Sequence, residues 1–461
     1  MQKLRSIILV TLDCVRSEAL SCYPEKFTWY QTFPVRAKTP NIAQIAQDGV
    51  TFTQAICQAP FTPASHASIL TGLNPYNHGI RAMIGYKLSD CARTLAEELK
   101  EHGYRTAAFV GSHALKSEYG LNRGFDVYDE SFENRAKNWI LGYRRPAWES
   151  TDRALAWLNQ HKQDNFFLFL HYFDAHDAVG ANLNHDGSEK AFLRRGEIAQ
   201  VSKAFLRPIY ERSRKPLLPI RRLWESIANR KVYGRRFHLS KVRELDAQIA
   251  RILKFLSEEG LYGETLIVIM ADHGDSFGER GEFNHREYLY DTTLRIPLII
   301  KGLRNLSGKI LPQLVRSIDV YPTVLEMLGV QQRSGEDHPV DGVSLVRLMK
   351  GYPQGDLDAY SETRHEVSAC DLRNWRSHLV SLRTGEWKLI INRLNGLKEL
   401  YDLKRDPGEY ENVWVEHQDI ARQLEEELQG MLDDADMQQE SQMSHEELGI
   451  IEERLRGFGY L

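Results

Sequence analysis

Thr62-Pro63-Ala64-Ser65-His66-Ala67-Ser68-Ile69-Leu70-Thr71-Gly72 is the stretch whose reading decides the fold. A hydroxyl residue stands just before what reads as a helix over Pro63–Thr71, and Gly72 is its stop. A hydroxyl at a helix N-terminus feels the positive end of the dipole, and the backbone N–H groups beside it can hold an anion. Thr62 is therefore a nucleophile candidate, weak until a metal or base helps to remove its proton. The plainer role for a threonine at this point is N-cap, and Ser65 is a rival hydroxyl for either task.

Working outward, Ser6–Leu12 is apolar and β-branched and reads as a strand with Asp13 at its C-terminal end. Much later Leu266–Met270 reads as another, followed by Ala271-Asp272-His273-Gly274. Val50–Ala55, Thr106–Val110, Phe166–Tyr172 and Leu298–Ile300 complete a set of strands. Helices are expected from Thr39-Pro40-Asn41, over Thr94–His102, over Val242–Glu259 and over Val320–Leu328. Strands alternating with helices predict an α/β fold with a mostly parallel sheet covered on both faces. Such folds place ligands at the C-terminal ends of the strands. Asp272 and His273, adjacent on a turn, can face one ion through oxygen and nitrogen. Asp13 at a strand end can join them, or can simply cap the next helix. His66, His78, His113, His171, His176 and His285 lie near these landmarks, and Asp174-Ala175-His176 follows its strand closely enough to serve a metal or a leaving group.

After Gly351 the texture changes to short strands, His378–Arg383, Glu386–Asn392 and Lys398–Tyr401, then an amphipathic helix over Ile420–Leu432. A catalytic domain over residues 1–355 and a C-terminal subdomain over 356–461, a small antiparallel sheet with a helix, are expected. Ser444 and Glu447 form the pattern of a capping box. Within the first domain, residues of about 190–240 form a basic insertion that includes Arg221 and Arg222; it reads as a solvated helical segment or as a lid attracting an anionic substrate.

The chain has 461 residues with a formal net charge of -4, which argues against nucleic acid as a partner over the whole surface. Five cysteines at scattered spacing form neither a disulfide framework nor a paired zinc motif. Ile7-Ile8-Leu9-Val10 is too short to span a membrane, and no other uncharged run is long enough; a cytoplasmic location is expected. Oligomeric state is not written in the sequence.

With these residues in place the chain resembles the sulfatase family of the alkaline phosphatase superfamily over nearly its whole length. The landmarks run in order: Leu12-Asp13, Thr39-Pro40-Asn41-Ile42, Ala67-Ser68-Ile69-Leu70-Thr71-Gly72, Asn77-His78-Gly79, Ala271-Asp272-His273-Gly274, Leu289-Tyr290-Asp291, Arg295-Ile296-Pro297, and Glu399-Leu400-Tyr401-Asp402-Leu403. The resemblance implies a central mixed sheet between helices with a smaller C-terminal sheet. It implies a divalent metal held by Asp13, Asp272 and His273 beside Thr62, with manganese, zinc, calcium and magnesium all compatible with such donors. The same resemblance implies that His113 and His176 are catalytic, touching the transferred group and the leaving oxygen, and that His285 joins them or ligates a second ion; among the clustered histidines His66 and His285 are the expected substrate binders. Phosphodiesterase branches of the superfamily hold a second metal with an Asp, a spaced His and a further His; Asp174, His176 and His285 could supply that set, though Asp174 and His176 stand closer in sequence than in those branches.

The chain departs from the family at informative points. Sulfatases carry a Cys or Ser where Thr62 stands, and an activating enzyme oxidises it to formylglycine; threonine is no substrate for that change. Ala64 and His66 replace the motif's Pro and Arg, Gly111 replaces a Lys, and Cys14 replaces an acidic metal ligand. The function expected from the sequence is a metal-dependent hydrolase of a small anionic ester, a phosphoester or phosphodiester ahead of a sulfate ester. A sulfuric ester hydrolase working without formylglycine is the alternative. A phosphoryl transferase and a non-catalytic binding protein are further alternatives.

Overall fold

The computed structural model describes residues 4–24, 36–132, 145–176, 218–302, 306–331, 340–365 and 377–433. Its centre is an eight-stranded sheet. In chain order the strands are β1 (Ser6–Leu12), β2 (Val50–Ile56), β3 (Arg105–Phe109), β4 (Val127–Asp129), β5 (Phe166–Tyr172), β6 (Thr265–Met270), β9 (Arg295–Lys301) and β10 (Lys309–Arg316), with a two-stranded ribbon of β7 (Ser276–Phe277) and β8 (Phe283–Asn284) between β6 and β9. The spatial order is β10-β2-β9-β6-β1-β5-β3-β4. Only β9 runs against its neighbours, so the sheet is mixed and mostly parallel, as expected. Every residue of β1, β5 and β6 is buried, which is why these strands are continuous apolar runs and not alternating ones.

Register at the centre positions the site. Leu12 pairs with Tyr172 and Thr11 with Met270. Two residues beyond Thr11 and Met270, Asp13 and Asp272 leave adjacent parallel strands at the same level. The helix Thr62–Thr71 follows β2 and is buried along its whole length, ending at Gly72 with φ 70°, a left-handed cap that glycine adopts without strain. Helix Leu95–Glu101 opens with a reciprocal capping box between Thr94 and Glu97.

The C-terminal sheet is antiparallel in simple order, β11 (Ala359–His365), β12 (Ser377–Arg383), β13 (Trp387–Asn392) and β14 (Lys398–Asp402). Helix Gln418–Asp433 lays Ala421, Leu424, Leu428 and Leu432 against it, the three-and-four spacing of one helical face. Buried ion pairs tie this sheet to loops and helix ends around the large one. Arg81 holds Glu362 in a fork at 2.8 and 2.7 Å, and Lys388 and Arg383 reach Asp291 at 2.9 and 3.2 Å.

Some elements are invisible to pattern reading. Helix Ala147–His161 buries Ser150, Thr151 and Ala154 alongside Trp157 and Leu158, so its inner face carries little apolar signal. Strand β10 is an edge with alternating exposure and a proline, Pro312. The helix expected over Val242–Glu259 runs from Leu218 to Glu258. Of the basic insertion, residues 190–217 lie outside the described residues, as do the side chains of Arg221 and Arg222 and the expected capping box at Ser444 and Glu447. Arg235, at its described end, is paired with Glu279, so that guanidinium is spent on the protein itself. Among the described residues no helix is long and apolar enough to cross a membrane.

Candidate active site

The C-terminal ends of β5, β1 and β6, three neighbouring parallel strands, deliver their polar residues to one buried point. Asp13, Asp272 and His273 are all buried there, and their ligand atoms lie within 4.8 Å of one another. Thr62 enters from the helix. Phe61 is the N-cap and makes no side-chain cap bond, and Thr62 is the first helical residue. Its hydroxyl therefore does not cap. It donates to Asp13 Oδ2 at 3.3 Å and lies 3.4 Å from His273 Nε2. Ser65, the rival hydroxyl, donates to the carbonyl of Asp272 at 2.6 Å.

Backbone geometry fixes the ring orientations. His273 Nδ1 donates to the carbonyl of Gly274 at 2.9 Å, which turns Nε2 toward Thr62 and toward Asp272 Oδ2, 3.3 Å away. A side chain at Gly274 would put a Cβ 2.3 Å from the Thr292 carbonyl oxygen, so the third residue of Asp272-His273-Gly274 must be glycine for the turn to lie this close. His171, on β5, accepts the Gly111 N–H at Nδ1 (3.2 Å); its Nε2 therefore carries the proton and donates to Asp13 Oδ2 at 3.0 Å.

These residues fit a divalent cation. Asp272 Oδ1 accepts the N–H groups of His273 and Cys14 at 2.8 and 3.3 Å, whereas Oδ2, equally buried, receives no hydrogen bond. Burial raises the Asp272 pKa and the nearby Asp13 carboxylate raises it further, against the pull of His273, His66 and His171. Two carboxylates buried this close call for a positive charge between them.

His176 and His285 adjoin this set. His176 stacks on Phe173 at 4.2 Å and meets the His285 ring edge-on at 5.0 Å; His285 lies 4.4 Å from the His273 ring. Burial, then the neighbouring imidazoles of His273 and His176, holds His285 well below the ordinary histidine range, so it is neutral.

Three expected residues are placed differently. Asp174 turns away and accepts the Ala147 N–H at 2.8 Å, at the start of helix Ala147–His161; burial lifts its pKa to about 6. It joins none of the buried ligand clusters among the described residues, so the second-metal set of Asp174, His176 and His285 does not assemble around it. His66 is fully buried, donates from Nδ1 to the Thr62 carbonyl at 2.8 Å and accepts from Thr11 at Nε2 (2.9 Å). Burial drives its pKa down to about 3, and with both nitrogens spent on the protein it supports Thr62 from behind and has no ring donor left for substrate. His113 lies on the turn after β3 with its ring stacked on Phe132 at 4.4 Å, outside the ligand clusters. Conversely, Cys14 and His171 stand at the centre of the site. His171 is among the histidines that the sequence singles out, but inside an apolar strand it shows no particular role, and Cys14 reads only as a lost acid.

The sulfatase family model matches residues 5–330, and a model described as N-sulphoglucosamine sulphohydrolase, C-terminal, matches residues 278–434. The chain is 24% identical to arylsulfatase K of Rattus norvegicus, over 86% of this chain and 74% of that protein. It superposes with a TM-score of 0.70, at 21% identity and over 94% of this chain and 98% of the other, on a protein solved in complex with its substrate D-glucosamine-2-N,6-O-disulfate. The phosphonate monoester hydrolase of Agrobacterium radiobacter superposes with a TM-score of 0.68 at 19% identity, over 93% and 96%. The match over residues 5–330 takes in every residue of the buried centre from Asp13 to His285, and the chain is a member of the sulfatase family, a hydrolase acting on sulfuric or phosphoric esters.

Proposed function

We propose that this protein cleaves a sulfuric ester of a small molecule, with Thr62 as nucleophile and with Asp13, Asp272 and His273 holding a divalent cation. The observation that carries the reading is the Thr62 hydroxyl, first residue of a buried helix, 3.3 Å from Asp13 and 3.4 Å from His273. When bound, a divalent ion supplies positive charge that eases loss of the hydroxyl proton and offsets charge on the group being transferred.

The chain's own residues do the rest. His171 holds Asp13 through Nε2, and Asp13 orients the Thr62 hydroxyl. Thr62 Oγ1 passes its proton to Asp13 Oδ2, its hydrogen-bond acceptor, and attacks sulfur; the Oγ1–sulfur bond forms as the bond to the leaving oxygen breaks. His176, buried beside the cluster, gives that oxygen a proton. Water then cleaves the ester on Thr62 and restores the hydroxyl.

Threonine cannot become formylglycine, which is why the sequence favours phosphorus over sulfur as the atom attacked. The family match and the sulfatase relatives support a sulfuric ester at least as well. A phosphoester or phosphonate ester is the second reading, favoured by Thr62 itself and by the likeness to a phosphonate monoester hydrolase. The test is a panel of aryl sulfate, aryl phosphate, aryl phosphodiester and aryl phosphonate monoester, each with magnesium, calcium, manganese and zinc. The highest kcat/KM is expected on the sulfate. A clear preference for a phosphorus ester transfers the assignment to the second reading, and no turnover of any member overturns both.

A further inference from the structure

Cys14 directly follows Asp13, where β1 leaves the sheet. Its backbone is left-handed at φ 61°, a conformation uncommon for a residue with a side chain and concentrated at functional turns. The thiol is fully buried. Its sulfur is shared by two buried clusters, one with His273 and His285 and one with Asp13 and His176. Sγ lies 3.8 Å from His273 Nδ1 and 3.6 Å from His285 Nδ1. His273 Nδ1 already donates to the Gly274 carbonyl, so His285 is the imidazole open to share an ion with the sulfur.

The separation fits that task. A zinc ion about 2.3 Å from sulfur and about 2.1 Å from nitrogen, in tetrahedral geometry, sets the two donors about 3.6 Å apart. Asp275 offers a second, independent sign. It is 1% exposed, its Oδ1 lies 3.6 Å from the same His285 nitrogen, and its Oδ2 receives no hydrogen bond. A buried carboxylate oxygen left in this condition beside a sulfur–imidazole pair is the expected surrounding of a cation.

We propose that Cys14 Sγ and His285 Nδ1 ligate the metal as a soft thiolate–imidazole pair, which makes this centre selective for zinc over magnesium and calcium. The proposal rests on the metal-hydrolase reading above. Magnesium and calcium are bound by oxygen donors, whereas thiolate selects softer ions. As the sulfur–metal bond forms, the thiol proton leaves to solvent. The substitution that removes an acidic ligand at position 14 is then a change of metal preference.

The full-length protein, stripped with chelator, is loaded with cobalt(II), and its absorption spectrum is compared with those of Cys14→Ser and Cys14→Asp. A thiolate-to-cobalt charge-transfer band in the near ultraviolet is expected for the wild type and for neither variant. In competition loading followed by elemental analysis, Cys14→Asp is expected to lower zinc retention relative to magnesium by about tenfold or more. Thermal unfolding and circular dichroism identify whichever variant is folded, and either one suffices for the comparison. A wild type that binds cobalt without that band overturns the role of Cys14 and leaves the hydrolase reading intact. A wild type that binds no divalent ion overturns both.

Discussion

Replacing Thr62 with alanine separates chemistry from stability at one atom. The hydroxyl contacts to Asp13 and His273 are long, 3.3 and 3.4 Å, and the helix keeps its cap arrangement because Phe61 holds the N-cap position. Losing the hydroxyl contacts and one buried methyl group should lower stability by only about 1–2 kcal/mol. Activity has no such cushion. Ser65, the nearest alternative hydroxyl in sequence, is committed to the Asp272 carbonyl at 2.6 Å. We expect kcat/KM to fall on the order of 10⁴-fold or more, about 5.4 kcal/mol at ~1.36 kcal/mol per decade. Thr62→Ser restores the oxygen and should recover most of the loss. The assay is kcat/KM on the best aryl ester, with urea unfolding and metal content measured in parallel. Mass spectrometry of quenched wild type should find a sulfuryl or phosphoryl adduct on the peptide containing Thr62. An alanine variant within tenfold of wild type, with metal at the wild-type level, would refute the nucleophile assignment.

Arg81→Met should cost about 3–5 kcal/mol in urea unfolding, because it leaves Glu362 buried without its cation, and Glu362→Gln on top should recover part of that loss. Burial alone would raise the Glu362 pKa, but the Arg81 guanidinium outweighs it and holds the carboxyl well below the usual range. A depressed carboxyl stabilises fully above its unfolded value of about 4.3 and progressively less as pH falls toward the folded value. The gap between wild type and Arg81→Met should therefore be constant near neutrality and narrow below about pH 4.3; a gap that widens on acidification contradicts the pairing. His176→Asn should reduce kcat more on alkyl esters than on nitrophenyl esters, since only the poor leaving group needs a proton; equal losses on both would remove His176 from that role. Gly274→Ala should cost about 1–3 kcal/mol and weaken metal binding, because the new Cβ meets the Thr292 carbonyl; unchanged metal affinity would show that the turn tolerates displacement.

The site was legible wherever a strand or helix ends in a polar residue. Asp13, Thr62, Asp272 and His273 each stand at such an end, so periodicity alone places them, and the parallel register of β5, β1 and β6 brings them level. Asp174 obeys the same rule and still turns away. Its carboxylate has a closer demand to meet, the unpaired N–H at the start of helix Ala147–His161, a helix whose polar inner face leaves no apolar pattern. The sequence offers His66 as a substrate binder because it belongs to the histidines clustered near the strand ends. In the fold its ring points back into the sheet and is consumed by Thr11 and the Thr62 carbonyl.

Sequence by itself determined the sheet, its buried central strands and the family, because burial on both faces writes itself as unbroken apolar runs and the motifs recur in order. It also determined that residue 62 is a threonine, which cannot become formylglycine. Only the tertiary structure decided which side chains meet. His273 and His285 stand 259 and 271 residues beyond Cys14 in the chain yet lie within 3.8 Å of its sulfur, a distance set by strand register and by the direction of one left-handed residue. Local residue chemistry carries no record of such a direction, because it depends on what the neighbouring strand brings to the same level.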